Sequence, residues 1–162
     1  MLNRGILKAA IPIIIAVASG VVSTALPASA ATSAVKYRIT QPAMNGTGTV
    51  ICLDAGFEFS RCQYGKSPDD PPALEKWTLV TLPNGTDQIK NFNSCLDLNG
   101  FTGPCSAGDA NQQWTRVSVG NGRVNVVNVS ATGQRTCLDS FWTFKTCLKG
   151  DKQQIWRFKQ VS

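Results

Sequence analysis

The chain has 162 residues, six cysteines, no histidine and a formal net charge of +6. That length suits one ordinary domain with a sizeable core. The missing histidine removes the commonest general base and metal ligand. The basic residues are interspersed with acidic ones and never run beyond two together, the pattern of a solvated surface rather than of a nucleic-acid interface.

The first thirty residues differ from the rest. Arg4 and Lys8 precede an apolar run over residues 11–22, and Ala28-Ser29-Ala30 offers small residues at a signal-peptidase spacing. Residues 1–30 are therefore expected to be a secretory signal peptide. Gly20, Ser23, Thr24 and Pro27 interrupt the run before the roughly 20 apolar residues that a bilayer span needs. Removal of the segment, with two basic and no acidic residues, leaves a domain over residues 31–162 and lowers the net charge from +6 to +4. A secreted, extracellular location follows, with no membrane span after cleavage.

All six cysteines lie beyond that segment: Cys52, Cys62, Cys95, Cys105, Cys137 and Cys147. An even count in an exported chain implies disulfides, and six cysteines allow about 15 connectivities. Internal periodicity chooses among them. "CLDAGFEFSRC", "CLDLNGFTGPC" and "CLDSFWTFKTC" begin at Cys52, Cys95 and Cys137, spaced by 43 and 42 residues. Each continues to a glycine three positions past its second cysteine (Gly65, Gly108, Gly150) and then to a tryptophan (Trp77, Trp114, Trp156). The second cysteine and the tryptophan are nine residues apart in the second and third copies, and fifteen in the first. There "SPDDPP" (67–72) reads as an inserted polar turn. Equivalent units should close equivalent bonds: Cys52–Cys62, Cys95–Cys105 and Cys137–Cys147. Each such loop is worth roughly 2–3 kcal/mol by chain entropy.

In chain order, "YRIT" (37–40), "WTLVTL" (77–82), "DQIKNF" (87–92), "WTRVSV" (114–119), "GRVNVVN" (122–128) and "IWRFKQV" (155–161) read as strands. Asn84-Gly85, Asn121-Gly122 and Thr132-Gly133 mark turns between them. No segment of the domain sustains a 3.6-residue period, so helix should be scarce. The units span about 36–82, 83–121 and 122–162. Units of this size also build propellers, but those use typically 4–8 blades. Three β-units in one small domain suit a closed threefold barrel.

These residues carry a family likeness. Cys-Leu-Asp, a second cysteine and Gln-x-Trp, three times over, resemble the ricin B-type lectins across residues 36–162, and the resemblance implies an all-β fold, the β-trefoil. Gln112-Gln113-Trp114 and Gln154-Ile155-Trp156 match that family's Gln-x-Trp, and Glu75-Lys76-Trp77 is a degenerate copy. The resemblance implies that the aspartate of each Cys-Leu-Asp accepts hydrogen bonds from vicinal sugar hydroxyls. A hairpin aromatic would stack on the sugar, an Asn before the Gln-x-Trp would complete the polar contacts, and the Gln would brace the pocket. The chemistry is apt, since a carboxylate accepts two hydroxyls at once and a flat ring suits the C–H face of a sugar. Carried over, the sugar-binding residues are Asp97, Phe101, Asn111 and Gln112 in the second unit. In the third they are Asp139, Trp142, Gln153 and Gln154. The first unit has Asp54 but Leu74 and Glu75 in the amide positions, and is expected to be silent. The three tryptophans of the repeat should be core.

One departure from the family is visible. Only nine residues separate the cysteines of each hairpin, and the position two before the second cysteine, which the family fills with the stacking aromatic, holds Ser60, Gly103 or Lys145. Shallow pockets are expected. The three aspartates also have a plainer reading, as caps of their own hairpin turns. Sequons stand at Asn45, Asn84 and Asn128. Asp69 and Asp70 lie in the polar insert, where solvation is the default. No catalytic constellation, Gly-rich phosphate loop, metal set or cofactor motif is present, and the chain is not expected to be an enzyme. The function that follows is a secreted carbohydrate-binding module whose partner is a carbohydrate or glycoconjugate. The alternative is a secreted trefoil that binds a protein through variable loops, as a protease inhibitor or toxin-targeting subunit does, with the inserted turn as its contact.

Overall fold

The computed structural model describes residues 34–41, 50–56, 59–62, 69–99, 101–129, 133–141 and 143–162. The expected signal peptide, the sequon at Asn45 and Trp142 lie outside the described residues.

Twelve strands are described: β1 (Lys36–Gln41), β2 (Ile51–Leu53), β3 (Phe59–Arg61), β4 (Trp77–Thr81), β5 (Asp87–Asn91), β6 (Ser94–Asp97), β7 (Phe101–Pro104), β8 (Thr115–Gly120), β9 (Arg123–Val129), β10 (Arg135–Asp139), β11 (Thr143–Thr146) and β12 (Arg157–Val161). The only helical pieces among the described residues are three 3-10 turns, η1 (Ala73–Glu75), η2 (Ala110–Gln112) and η3 (Lys152–Gln154). All six strands read from the sequence are present, with ends shifted by at most two residues. Asn121 and Gly122, at φ of 55° and 65°, form the two-residue turn between β8 and β9. Positive φ at both positions is what a type I′ hairpin requires.

The strands close into a ring. β12 pairs with β1, β1 with β4, β4 with β5, and β8 with β9. Two single bridges, Asp87 with Trp114 and Val124 with Trp156, complete the circuit. Three hairpins, β2–β3, β6–β7 and β10–β11, are attached to this barrel through β1, β5 and β9. A six-stranded ring with three hairpins, one per sequence repeat, is a β-trefoil. The disulfides Cys52–Cys62, Cys95–Cys105 and Cys137–Cys147 each close one hairpin, at Cα separations of 4.8, 5.0 and 4.9 Å. The pairing drawn from the repeat is the pairing found.

Tyr37, Asp87 and Val124 occupy equivalent places, each bridged to its own unit's tryptophan. Counting on two residues gives Ile39, Ile89 and Val126, all fully buried. Trp77, Trp114 and Trp156 are fully buried beside them. Their indole Nε1 atoms donate to the carbonyls of Leu53, Leu96 and Leu138 at 2.8, 2.9 and 2.9 Å. Each tryptophan thus fills the core and ties its 3-10 turn to its own Cys-Leu-Asp strand, with its indole N–H paired.

Two residues further on, the three places hold Gln41, Asn91 and Asn128, all buried. Their amides reach across to the preceding unit. Asn91 donates to the carbonyls of Ala73 and Lys76 at 3.0 and 2.8 Å. Asn128 donates to those of Ala110 and Gln113 at 2.7 and 2.8 Å, and Gln41 to that of Lys152 at 3.0 Å. Each unit therefore satisfies the orphan carbonyls of its neighbour's 3-10 turn, and the ring of contacts closes on itself. The Asn128 sequon is consequently not an accessible acceptor in the folded chain, because its amide is buried and committed.

The insert is also less free than its composition implies. Asp69 pairs with Lys159 at 2.7 Å, and its carbonyl accepts from the backbone and hydroxyl of Ser162 at 3.2 and 2.9 Å. Asp70 pairs with Lys76. Both carboxylates reach solvent, as expected of a polar insert, and the described end of the insert is also fastened to Lys159, Ser162 and Lys76.

Candidate functional site

The three hairpin aspartates share one local device and differ in what surrounds it. In each, Oδ1 accepts the backbone N–H two residues on: Gly56 for Asp54 (2.6 Å), Asn99 for Asp97 (2.7 Å) and Phe141 for Asp139 (3.0 Å). This is the Asx turn expected of a capping aspartate. The cap occupies one oxygen and leaves Oδ2 to distinguish the units.

In the second unit, Oδ2 of Asp97 accepts from Gln112 Nε2 at 2.9 Å. Gln112 is itself held on every side. Its Nε2 also donates to the Pro104 carbonyl at 2.9 Å, and its Oε1 accepts from the Ser106 amide at 2.8 Å. The bracing role implied by the resemblance has a geometric counterpart here. Each Asp97 oxygen carries one internal hydrogen bond and has acceptor capacity left. Gly103, opposite Cys95 across the hairpin, faces this carboxylate. A Cβ there would stand 3.3 Å from Asp97 Oδ2, so the glycine keeps a side chain off a carboxylate that is itself only 7% exposed. Asn111 is half-buried, and its backbone carbonyl accepts from Leu98 at 3.2 Å. Among the described residues nothing hydrogen-bonds its side-chain amide.

Phe101 does not take the stacking position. It adopts φ 62° and turns inward, with its ring 5.3 Å from that of Phe59 and 6.5 Å from that of Phe144. The cause lies in hairpin register. Phe59 and Phe144 stand opposite Leu53 and Leu138, whereas Thr102 stands opposite Leu96. The core lacks a ring at that point in the second unit, and Phe101, one residue earlier, supplies it at the cost of a left-handed backbone that a bulky residue rarely adopts. Phe101 is thus half-buried against the core rings.

In the third unit, Lys145 stands where the second has Gly103. Its Nζ lies 3.7 Å from Asp139 Oδ1 and 5.9 Å from the Phe141 ring centre. Asp139 is fully buried, and its Oδ2 has no hydrogen-bond partner among the described residues. Gln154 repeats the bracing geometry, accepting from the Leu148 amide at 2.9 Å and donating to the Thr146 carbonyl at 3.1 Å. Its amide nitrogen has no hydrogen bond to Asp139. Gln153 has its backbone fixed by Asp151 and Ser140 and a side chain without a hydrogen-bond partner among the described residues. The third unit thus has the same parts with a cation over the carboxylate.

In the first unit the bracing amide is replaced by charge. Glu75 is fully buried and receives Arg38 Nε at 2.7 Å, in a salt bridge that also engages the guanidinium NH2. Arg38 occupies the place equivalent to Gln88, whose amide lies 3.4 Å from Gln112 Oε1. The change from Gln to Glu in the 3-10 turn is therefore matched by a change to Arg on the barrel strand. Leu74, largely exposed, stands in the place of Asn111.

A threefold barrel bearing one capped hairpin per unit is a β-trefoil. Solved structures agree on the fold. The chain is similar to the designed 3-fold symmetric protein ThreeFoil, at 21% identity and a TM-score of 0.55, over 76% of this chain and 96% of that one. It is similar to SeviL, solved bound to asialo-GM1 saccharide, at 14% identity and 0.54, over 80% of this chain and all of the other. It also matches 30% of 1,3Gal43A, an exo-beta-1,3-galactanase from Clostridium thermocellum, at 17% identity and 0.55, over 78% of this chain. No protein-family model matches the chain, and no curated protein matches it significantly.

Proposed function

We propose that this protein is a secreted, lectin-like carbohydrate-binding module whose principal site is the second hairpin. The observation that carries the reading is Asp97: a carboxylate braced by Gln112 at 2.9 Å, with a glycine, Gly103, at the hairpin position that faces it. Vicinal hydroxyls are the natural partners of such an acceptor pair. Two of the similar structures point the same way, one solved with a saccharide and one of a galactanase. Secretion is supported by the signal-like residues 1–30 and by three disulfides, which persist in oxidising compartments. The third unit is a weaker site, since Lys145 already engages Asp139, and the first is silent.

The test is a glycan array on the purified protein, followed by titration of the best hit into variants. Asp97→Asn keeps the cap acceptor and loses the charge. It is expected to reduce affinity on the order of tenfold or more, since a hydrogen bond to a charged group is worth about 1.5–3 kcal/mol. Asp54→Asn is expected to change little, and equal loss from both would overturn the ranking of the units. Trp142 belongs to this reading as well. Trp142→Ala is expected to leave thermal stability nearly unchanged and to weaken glycan binding by several-fold, the size of an aromatic contact of about 1 kcal/mol. Severe destabilisation would make Trp142 a packing residue.

A further inference from the structure

A second surface lies on the barrel wall beside the first unit's 3-10 turn. On the barrel wall, Lys36 of β1 and Lys90 of β5 both pair with Thr78 of β4, one from either side. They flank a groove of about 460 Å³ lined also by Lys76, Val80, Ala73 and Phe92. Lys76 is neutralised by Asp70. Lys36 and Lys90 have no ion-pair partner among the described residues, so the groove carries two uncompensated cations.

Phe92 at its rim is unusual twice over. It is 66% exposed, and it adopts φ 49° at the first position of the two-residue turn between β5 and β6. Glycine or asparagine is the ordinary occupant of such a position. Neither the exposure nor the backbone of Phe92 contributes to the core, and strain of this kind concentrates at functional sites. An aromatic face beside paired cations matches a ligand that is both ring-shaped and anionic. Lys36 and Lys90 are two strand spacings apart, about 9.5 Å between backbones, which is close to the length of a disaccharide.

We infer that this groove binds an acidic polysaccharide, with carboxylate or sulfate groups on alternate sugars meeting Lys36 and Lys90 while a sugar ring at the rim stacks on Phe92. The site is independent of Asp97.

The experiment is titration of the purified protein with heparin and with polygalacturonate. Dextran is the neutral control, and duplex DNA and phosphatidylserine vesicles are the competing polyanions. The acidic polysaccharides are expected to bind and dextran not to. Lys36→Gln/Lys90→Gln is expected to lower the affinity by about tenfold for each charge-assisted hydrogen bond removed. Phe92→Ala is expected to weaken polysaccharide binding several-fold with the fold intact, checked by circular dichroism. The exposed Lys149→Gln should have little effect. Sulfate and carboxylate sources are separated by the heparin and polygalacturonate arms. Absence of acidic-polysaccharide binding overturns the inference, and so does binding that the double lysine variant leaves unchanged. Equal or stronger binding to DNA or vesicles, insensitive to Phe92→Ala, overturns it in favour of generic charge attraction. Asp97→Asn should leave groove binding untouched, so failure of the hairpin site and failure of the groove are separately visible.

Discussion

Trp114→Ala is expected to destabilise the protein by roughly 3–5 kcal/mol, the cost of truncating a core tryptophan. Trp114 is fully buried, with its ring centre 5.4 Å from that of Phe144. Removing the indole opens a cavity at the threefold axis where the rings of separate units meet. It also strands the Leu96 carbonyl, which accepts the indole N–H at 2.9 Å, and that unsatisfied buried group accounts for part of the loss. Because Leu96 precedes Asp97, the site in the second hairpin should loosen together with the core. Denaturant titration with disulfides intact measures the loss. A change below about 1 kcal/mol would contradict the central packing role, given the usual cost of core truncation. Trp114→Phe, which refills most of the volume and lacks the donor, separates the packing share from the hydrogen-bond share.

Glu75→Gln is expected to cost about 3 kcal/mol, because it leaves the Arg38 guanidinium buried against a neutral partner. Arg38→Gln should cost a similar amount by removing the cation that faces the fully buried Glu75 carboxylate. The double variant Arg38→Gln/Glu75→Gln behaves differently. It recreates in the first unit the Gln88–Gln112 pairing of the second, and is expected to return to within about 1 kcal/mol of the parent, since neutral replacement of a buried ion pair is often tolerated. In thermal melts each single variant should fall by about 10 °C and the double should recover most of that. If the two single effects simply add, the residues are not coupled, and the compensated exchange is wrong.

The hairpin of the second unit follows the same logic from the opposite side. Its all-amide brace places Gln112 against the buried Asp97 without adding a charge. In the first unit the charge pair consumes the brace, and in the third Lys145 sits at the carboxylate. One scaffold thus carries three electrostatic settings, and among the described residues only the second hydrogen-bonds its hairpin carboxylate to a bracing amide.

Much of this architecture is legible in the sequence alone, because the features involved are local or recur at nearly fixed spacing. A cysteine ten positions from its partner, an aspartate after Cys-Leu and a tryptophan after the 3-10 turn are set within one unit. A triple recurrence therefore reveals the units, the disulfides, the caps and the core indoles together. The strands follow from alternation, and Asn121-Gly122 follows from its required backbone angles.

What only the tertiary structure decided depends on contacts between segments whose separation varies. Gln41, Asn91 and Asn128 are equivalent clasps, yet they precede the first cysteine of their units by 11, 4 and 9 residues. Loops of different length thus hide the repeat. Arg38 compensates Glu75 from 37 residues away, so the sequence exposes the degenerate Glu and conceals its partner. Phe101 looks like a pocket aromatic because it is the only ring in its hairpin. Strand register, with Thr102 opposite Leu96, sends it inward instead. The groove between Lys36 and Lys90 exists only because β4 comes to lie between β1 and β5. Local chemistry is written in the order of residues, while burial, compensation of charge and the shape of a surface arise where distant strands are brought side by side.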